Sequence, residues 1–453
     1  MYLWTDGRSN IVKHWREIYK EKLMEPSDAA ALIECGDRIF AGSSGCIAGA
    51  LLDAVAMRPE LRDVLVLTAM NDTVCCCLTS PEYAERMEYH TLFVYSADRK
   101  MQKTGRVHMN SVQLHRAARA ATETYGVNTL MLQVSEPDEN GYLYYGSMGT
   151  AWGVLDERVE KLIFQINSNQ QKVRGVHNRI HVSRVTALCK ADTPMPIYPN
   201  KEPDNRDKRI AAHIVPYIHS GDILQVGIGG VPNAIAYSLE GHKNLGIYTE
   251  VLTESLIFLM KCGAVDLNRV TASFSLSERG MIDEEILQHI VFMPVEILNR
   301  PDIAGSNPNL VSVNACLMAD LTGQICSENI NGRQISGVGG QLDFVRAAAI
   351  SEGGRSFLCM KSTFTDSDGV EQSNIRAKLP AGAVITTPRT DVMNVVTEWG
   401  IAQLQDRPFK ERARAMIKIA HPKFRRQLAE EAVELGLLRS GQAEDESLYE
   451  AED

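Results

Sequence analysis

Two stretches of this chain echo each other. Residues 36–51 read GDRIFAGSSGCIAGAL and residues 221–236 read GDILQVGIGGVPNAIA, aligning without a gap through Gly36/Gly221, Asp37/Asp222, Gly42/Gly227 and Gly45/Gly230. In each, Gly-Asp opens a short β-prone run, Ile39-Phe40 or Ile223-Leu224, which ends in a glycine-rich loop and passes into a helix-compatible stretch. A second β-prone segment follows at 64–68 and again at 245–249. Strand, loop, helix, strand is the grammar of a parallel α/β sheet. The repeat therefore predicts an α/β fold of two related open domains with mainly parallel sheets. A length of 453 residues accommodates two or three such domains.

The boundary falls in 191–207, which holds four prolines in seventeen residues and no period. The expected division is a domain over 1–192, a linker over 193–207 and a second domain over 208–453. Residues 409–438 carry helix-period apolar residues with interleaved Lys, Arg and Glu, as a surface helix or pair of helices would, and the acidic 440–453 are expected to fray.

Composition narrows the function classes. No apolar run approaches the ~20 residues that span a bilayer, and the first twenty residues hold Asp6, Arg8, Lys13 and Glu17 in place of a signal-peptide core. A cytoplasmic protein with no membrane partner is expected. Ten cysteines include Cys75-Cys76-Cys77 but no CxxC pair, which reads as reduced, buried thiols and not as a disulfide frame or zinc ribbon. A net charge of −10 with no Lys/Arg run argues against nucleic acid. That sum does not exclude a local cationic pocket for a phosphate-bearing ligand.

Three segments could carry chemistry. In Val226-Gly227-Ile228-Gly229-Gly230-Val231-Pro232-Asn233, glycines let the backbone turn sharply and approach a ligand, and the following helix N-terminus offers free N–H groups. It is not a dinucleotide fingerprint, because the third glycine of GxGxxG falls at Pro232; a tight structural turn is the alternative. Ser336-Gly337-Val338-Gly339-Gly340-Gln341 is denser. Bare N–H groups there could stabilise an oxyanion, against a merely crowded turn. Glu250, at the expected C-terminal end of a strand, lies where α/β sheets collect ligands, although a carboxylate leaving a strand is commonly just solvated. The first half has no aligned carboxylate near Ala69 and Asn71, so any chemistry is expected in the second. His177 and His181 stand at i, i+4, but they lack the Glu of HExxH and sit in a strand-like run, so no metal site is expected.

The ordered segments Gly227–Asn233, Gly246-Ile247-Tyr248-Thr249-Glu250, Ser336–Val345, Val396-Thr397-Glu398-Trp399-Gly400 and Ile419-Ala420-His421-Pro422-Lys423-Phe424-Arg425 resemble the acetyl-CoA hydrolase/transferase family. Within it the chain looks most like butyryl-CoA:acetate and 4-hydroxybutyrate CoA-transferases. The resemblance implies the CoA-transferase (NagB-RpiA-like) architecture. It also implies Glu250 as nucleophile and backbone amides of Asn299 and Gly340 as oxyanion donors. Coenzyme A would lie along Gln225, Val226, Gly227, Ile228, Gly229 and Gly230, with Ser336, Gly337, Gly339, Gly340, Gln341 and Lys361 near it. Acyl-CoA and short-chain carboxylic acids are the implied substrates, with no permanently bound cofactor and a homo-oligomer, dimer or larger. Tyr248 replaces a usual His, and Thr253-Glu254-Ser255 and Ala347-Ala348 also depart from the family pattern. Acyl-CoA hydrolysis through the same intermediate and a non-catalytic CoA-binding paralogue are the competing readings.

Overall fold

The computed structural model describes residues 14–72, 75, 80–83 and 85–449. Cys76 and Cys77, the leader residues Asp6, Arg8 and Lys13, and 450–453 lie outside the described residues.

The first half builds one eight-stranded sheet from β1 (Leu23–Met24), β2 (Arg38–Phe40), β3 (Val64–Thr68), β4 (Met87–Thr91), β5 (His108–Met109), β6 (Thr129–Val134), β7 (Lys161–Ile166) and β8 (Ala187–Lys190). Its order is β1-β8-β7-β6-β2-β3-β4-β5, parallel throughout. The second half repeats the plan with β9 (Ile223–Val226), β10 (Leu245–Thr253), β11 (Val265–Leu276), β12 (Val291–Phe292), β13 (Leu310–Ala315), β14 (Arg355–Cys359), β15 (Asn394–Thr397) and β16 (Gly400–Gln403). Here the order is β12-β11-β10-β9-β13-β14-β15-β16, with only β15 and β16 antiparallel.

In the first half the chain lays β1 at one edge before it forms the central strand β2, and in the second half it starts at the central strand β9; from each central strand it adds three strands on one side, then returns to the other side. The two central strands are the two echoed segments, and their registers agree. Ile39 pairs with Val66 as Leu224 pairs with Ile247. Strands such as β3 and β6 are buried at every position, because helices cover both faces of a parallel sheet and leave no polar side to alternate with. The connecting helices α1 (Gly49–Ala56) and α3 (Gly230–Ser238) follow the two glycine loops.

Two boundaries shift from expectation. The linker ends sooner than 207, because Asp204 caps helix α2 (Asn205–Ile214): its carboxylate accepts from the N–H groups of Arg206 and Asp207, at 2.9 and 3.0 Å, while Asp207 Oδ2 accepts from the Asp204 N–H at 3.1 Å. This capping box satisfies helix-end donors that a coil would leave to water. The acidic C-terminus is not frayed as far as it is described. Leu448 is fully buried, Arg414 pairs with Asp445, and the buried Arg425 donates to the carbonyls of Ala420 and Tyr449. Helices α5 (Phe409–Lys418) and α6 (Pro422–Glu434) bury one face through Met416, Ile417, Leu428 and Ala432. No helix among the described residues is long and apolar enough to cross a membrane.

Candidate active site

Strand β9 stops at Val226, whereas β10 runs on to Thr253, held there by β11 through Val251/Phe274 and Thr253/Leu276. Glu250 is therefore not a loop residue. It lies inside the overhanging part of a strand, beside the crevice where connections from β9 and β13 leave in opposite directions. That switch point is where open α/β sheets leave room for a ligand. Tyr248 shares the face of Glu250 by the two-residue period of a strand, and its hydroxyl donates to Leu298 O at 3.1 Å.

One oxygen of the Glu250 carboxylate, Oε2, is crowded by two residues. Asn299 Nδ2 donates to Oε2 at 2.7 Å. Beside that bond, Gly340 packs so closely that a Cβ there would lie 1.8 Å from Oε2 and 2.4 Å from Asn299 Nδ2. Only glycine fits. Gly340 also precedes helix α4 (Gln341–Ile350), whose first N–H groups have no acceptor within the helix and present positive partial charge. Burial nevertheless pushes the Glu250 carboxyl up to about 7, against the lowering bond from Asn299 and with a smaller upward push from Asp343.

Asn299 meets Glu250 through its side chain, where its backbone N–H was expected. Its backbone N–H is spent on Val295 O at 3.0 Å, closing the single turn Val295–Leu298. The side-chain amide is what reaches the carboxylate. The glycine clusters also divide by cause. A Cβ on Gly337 would strike Leu92 O at 2.5 Å, Gly339 adopts φ +59°, and a Cβ on Gly230 would lie 2.1 Å from Asp207 Oδ2.

A cavity of about 190 Å³ opens at Glu250, lined by Phe93, Gln225 to Ile228, Val251, Asn314, Ser327 and 336–341. Ile228 and Ala315 also line a second cavity of about 570 Å³, with Gly229, Gly230, Lys201, Arg206 and Lys361. The two form one groove. Every expected residue except Asn299 lines one cavity or the other, and Asn299 touches Glu250 directly. Gln225 is a strut: its Oε1 accepts from Ser312 Oγ at 2.6 Å and Asn314 Nδ2 at 3.0 Å. Lys361 pairs with Asp204 and, at 3.3 Å, with Asp207. Phe93, from the first half, was missed, since nothing in its local sequence signals a contact with a loop more than 200 residues away. His177 and His181 do not converge: one faces Glu157 at 3.8 Å, the other Ser183. No group of three or more metal-ligating side chains occurs among the described residues.

Fold and site define an α/β enzyme with a half-buried, oriented carboxylate at a sheet switch point. Comparison with known proteins gives the family. The chain matches the acetyl-CoA hydrolase/transferase N-terminal domain over residues 8–199 and the C-terminal domain over 280–432. Glu250 falls between the two matched segments. The chain is 33% identical to a 4-hydroxybutyrate coenzyme A transferase of Clostridium kluyveri, covering 92% of this chain and 98% of the relative. It is 30% identical to a butyryl-CoA:acetate CoA-transferase of Anaerostipes caccae, covering 92% and 97%. The crystal structure of RipA from Yersinia pestis superposes with a TM-score of 0.86 at 31% identity, covering 94% of this chain and all of that one. The protein belongs to the acetyl-CoA hydrolase/transferase family and is an enzyme of CoA transfer.

Proposed function

We propose that the protein moves coenzyme A between short-chain carboxylic acids, of the butyryl-CoA:acetate or 4-hydroxybutyrate type, through a covalent glutamyl-CoA thioester on Glu250. The carrying observation is the clamp on that carboxylate: Asn299 fixes one oxygen at 2.7 Å, against a Cα that tolerates no side chain.

In this reading a Glu250 oxygen attacks the acyl-CoA carbonyl carbon, forming an acyl-glutamyl anhydride and expelling CoA thiolate. The thiolate attacks the glutamyl carbonyl, giving glutamyl-CoA and releasing the first carboxylate. A second carboxylate attacks glutamyl-CoA, the thiolate leaves again, and its attack on the new anhydride's acyl carbon yields the new acyl-CoA and free Glu250. A carboxylate suits these exchanges because anhydride and thioester are comparably activated. Desolvation favours attack by making the ionised form more basic than an exposed Glu. Each tetrahedral oxyanion needs donors in place before the reaction, which supports a role for the N–H groups at the start of α4 and for the Asn299 amide.

The groove fits the long substrate. Ile228 is 53% exposed and Phe364 39% exposed at its outer part, beside Lys201, Arg206 and Lys361, an apolar and cationic surface for a nucleotide phosphate tail. Binding energy gained there can be used to force the thioester against Glu250. Coenzyme A is substrate in this scheme, and the working unit is a homo-oligomer. The test is acyl-CoA turnover with and without acetate, following labelled acetate into acyl-CoA. Acetate-dependent label transfer is expected; CoA release indifferent to acetate would replace transfer by hydrolysis.

A further inference from the structure

His115 comes from the first half, on the short turn Leu114–Arg116. Its ring Nδ1 donates to Asp343 Oδ1 at 2.7 Å, and its backbone N–H reaches Oδ2 at 3.3 Å. Asp343 is the third residue of α4 and only 2% exposed. A carboxylate there would ordinarily turn back to cap its own helix; both oxygens are instead taken by the other half of the molecule. The same turn packs on the helix Val295–Leu298, whose next residue is Asn299. One turn thus touches both elements that grip Glu250.

We propose that His115 and Asp343 are a positioning pair, through which the first half holds Gly340 and Asn299 in place around the Glu250 carboxylate. Neither touches the reacting atoms. Their effect is geometric, through the start of α4, and electrostatic, since the Asp343 charge opposes ionisation of Glu250. Across the cleft His115 faces Arg158 and Glu296, paired at 2.8 Å, and Arg300 and Asp302, paired at 2.5 Å. His177 and Glu157, 3.8 Å apart, complete that side, and Arg116 and Arg119 flank it on its own segment. Because these opposite charges are matched in pairs, the Asp343 bond is the specific contact of the ring.

The proposal rests on Glu250 as nucleophile, so Glu250→Gln is measured alongside. Turnover and pH profiles are recorded for full-length His115→Phe, His115→Asn and Asp343→Asn. His115→Phe is expected to lower kcat about 100-fold, the scale of a small misplacement transmitted to the reacting groups, with little change in KM for acyl-CoA. His115→Asn, whose Nδ2 replaces ring Nδ1 as donor, recovers most of it. Asp343→Asn, isosteric and free of any folding demand for new volume, moves the acid limb of kcat/KM to lower pH by removing a negative neighbour of Glu250. Wild-type kcat in folded His115→Phe, or an acid limb in Asp343→Asn that stays put or rises, overturns the pair while leaving the nucleophile standing. Full turnover in Glu250→Gln overturns both.

Discussion

The two halves of this chain share a strand order over seven of their eight strands and differ in what they do with the crevice it creates. In the second half the loop after the central strand, 227–230, lines an open groove, and Glu250 stands on the overhang of the neighbouring strand. In the first half the equivalent loop is filled. Trp152 Nε1 donates to Ser43 Oγ at 2.9 Å, Gln170 Nε2 to Gly45 O at 2.7 Å, and Ser43, Ser44, Gly45 and Cys46 are all buried. Counting on from the paired registers, Glu250 corresponds to Ala69. A topology offers a place for a ligand; side chains decide whether the place is a site or part of the core.

The contrast can be broken most sharply at Glu250. Glu250→Gln keeps the Asn299 contact and the volume but removes the proposed nucleophile, and turnover should fall by at least about 10³-fold, measured as acyl-CoA exchange. Next come paired glycine substitutions. Gly340→Ala would press a methyl into Oε2 and should cost about 10²- to 10³-fold in kcat by displacing carboxylate and donors together. Gly42→Ala, in the first half, meets Leu132 Cδ2 at 2.5 Å with φ +79°. It should instead lower stability by about 1–3 kcal/mol, read by urea unfolding, with kcat of the folded fraction retained. If Gly42→Ala abolished turnover in folded protein, the halves would not divide their labour as described.

A pH effect sharpens the comparison further. Glu250 titrates at about 7 in the folded chain, above its ordinary 4.5. The unfolded chain thus ionises first, and the site's contribution to stability falls as pH rises from 4.5 to about 7. Glu250→Gln should gain on wild type across that interval, by about 1–3 kcal/mol at pH 8, while the acid limb of wild-type kcat/KM lies near the same upper value. The smallest effect is expected at Lys361, whose charge is already shared with Asp204 and Asp207. Lys361→Ala should raise KM for acyl-CoA about three- to tenfold with kcat unchanged.

Much of this was legible in the sequence, for physical reasons that differ by residue. The repeat revealed both central strands because Gly-Asp and the glycine loop sit at fixed offsets from buried apolar runs. Glu250 and the Gly337–Gln341 cluster stood out through ordered motifs that resemble a family, and the fold brings them to one cavity. Asn299 was expected to present its backbone N–H; that group closes a one-turn helix on Val295 O, and the carboxamide meets Glu250, a detail no motif carries. Phe93 and His115 carry no motif, and only folding brings the first half's loops over the second half's site. The linker end could have been read from Asp204 and Asp207, a capping spacing inside a proline-rich run.

The central claim is a covalent intermediate on Glu250. Protein incubated with acyl-CoA, treated with borohydride and digested should show, by mass spectrometry, the Glu250 side chain converted to the primary alcohol, and no conversion when acyl-CoA is omitted. An unmodified Glu250 in enzyme that turns over fully would contradict the account.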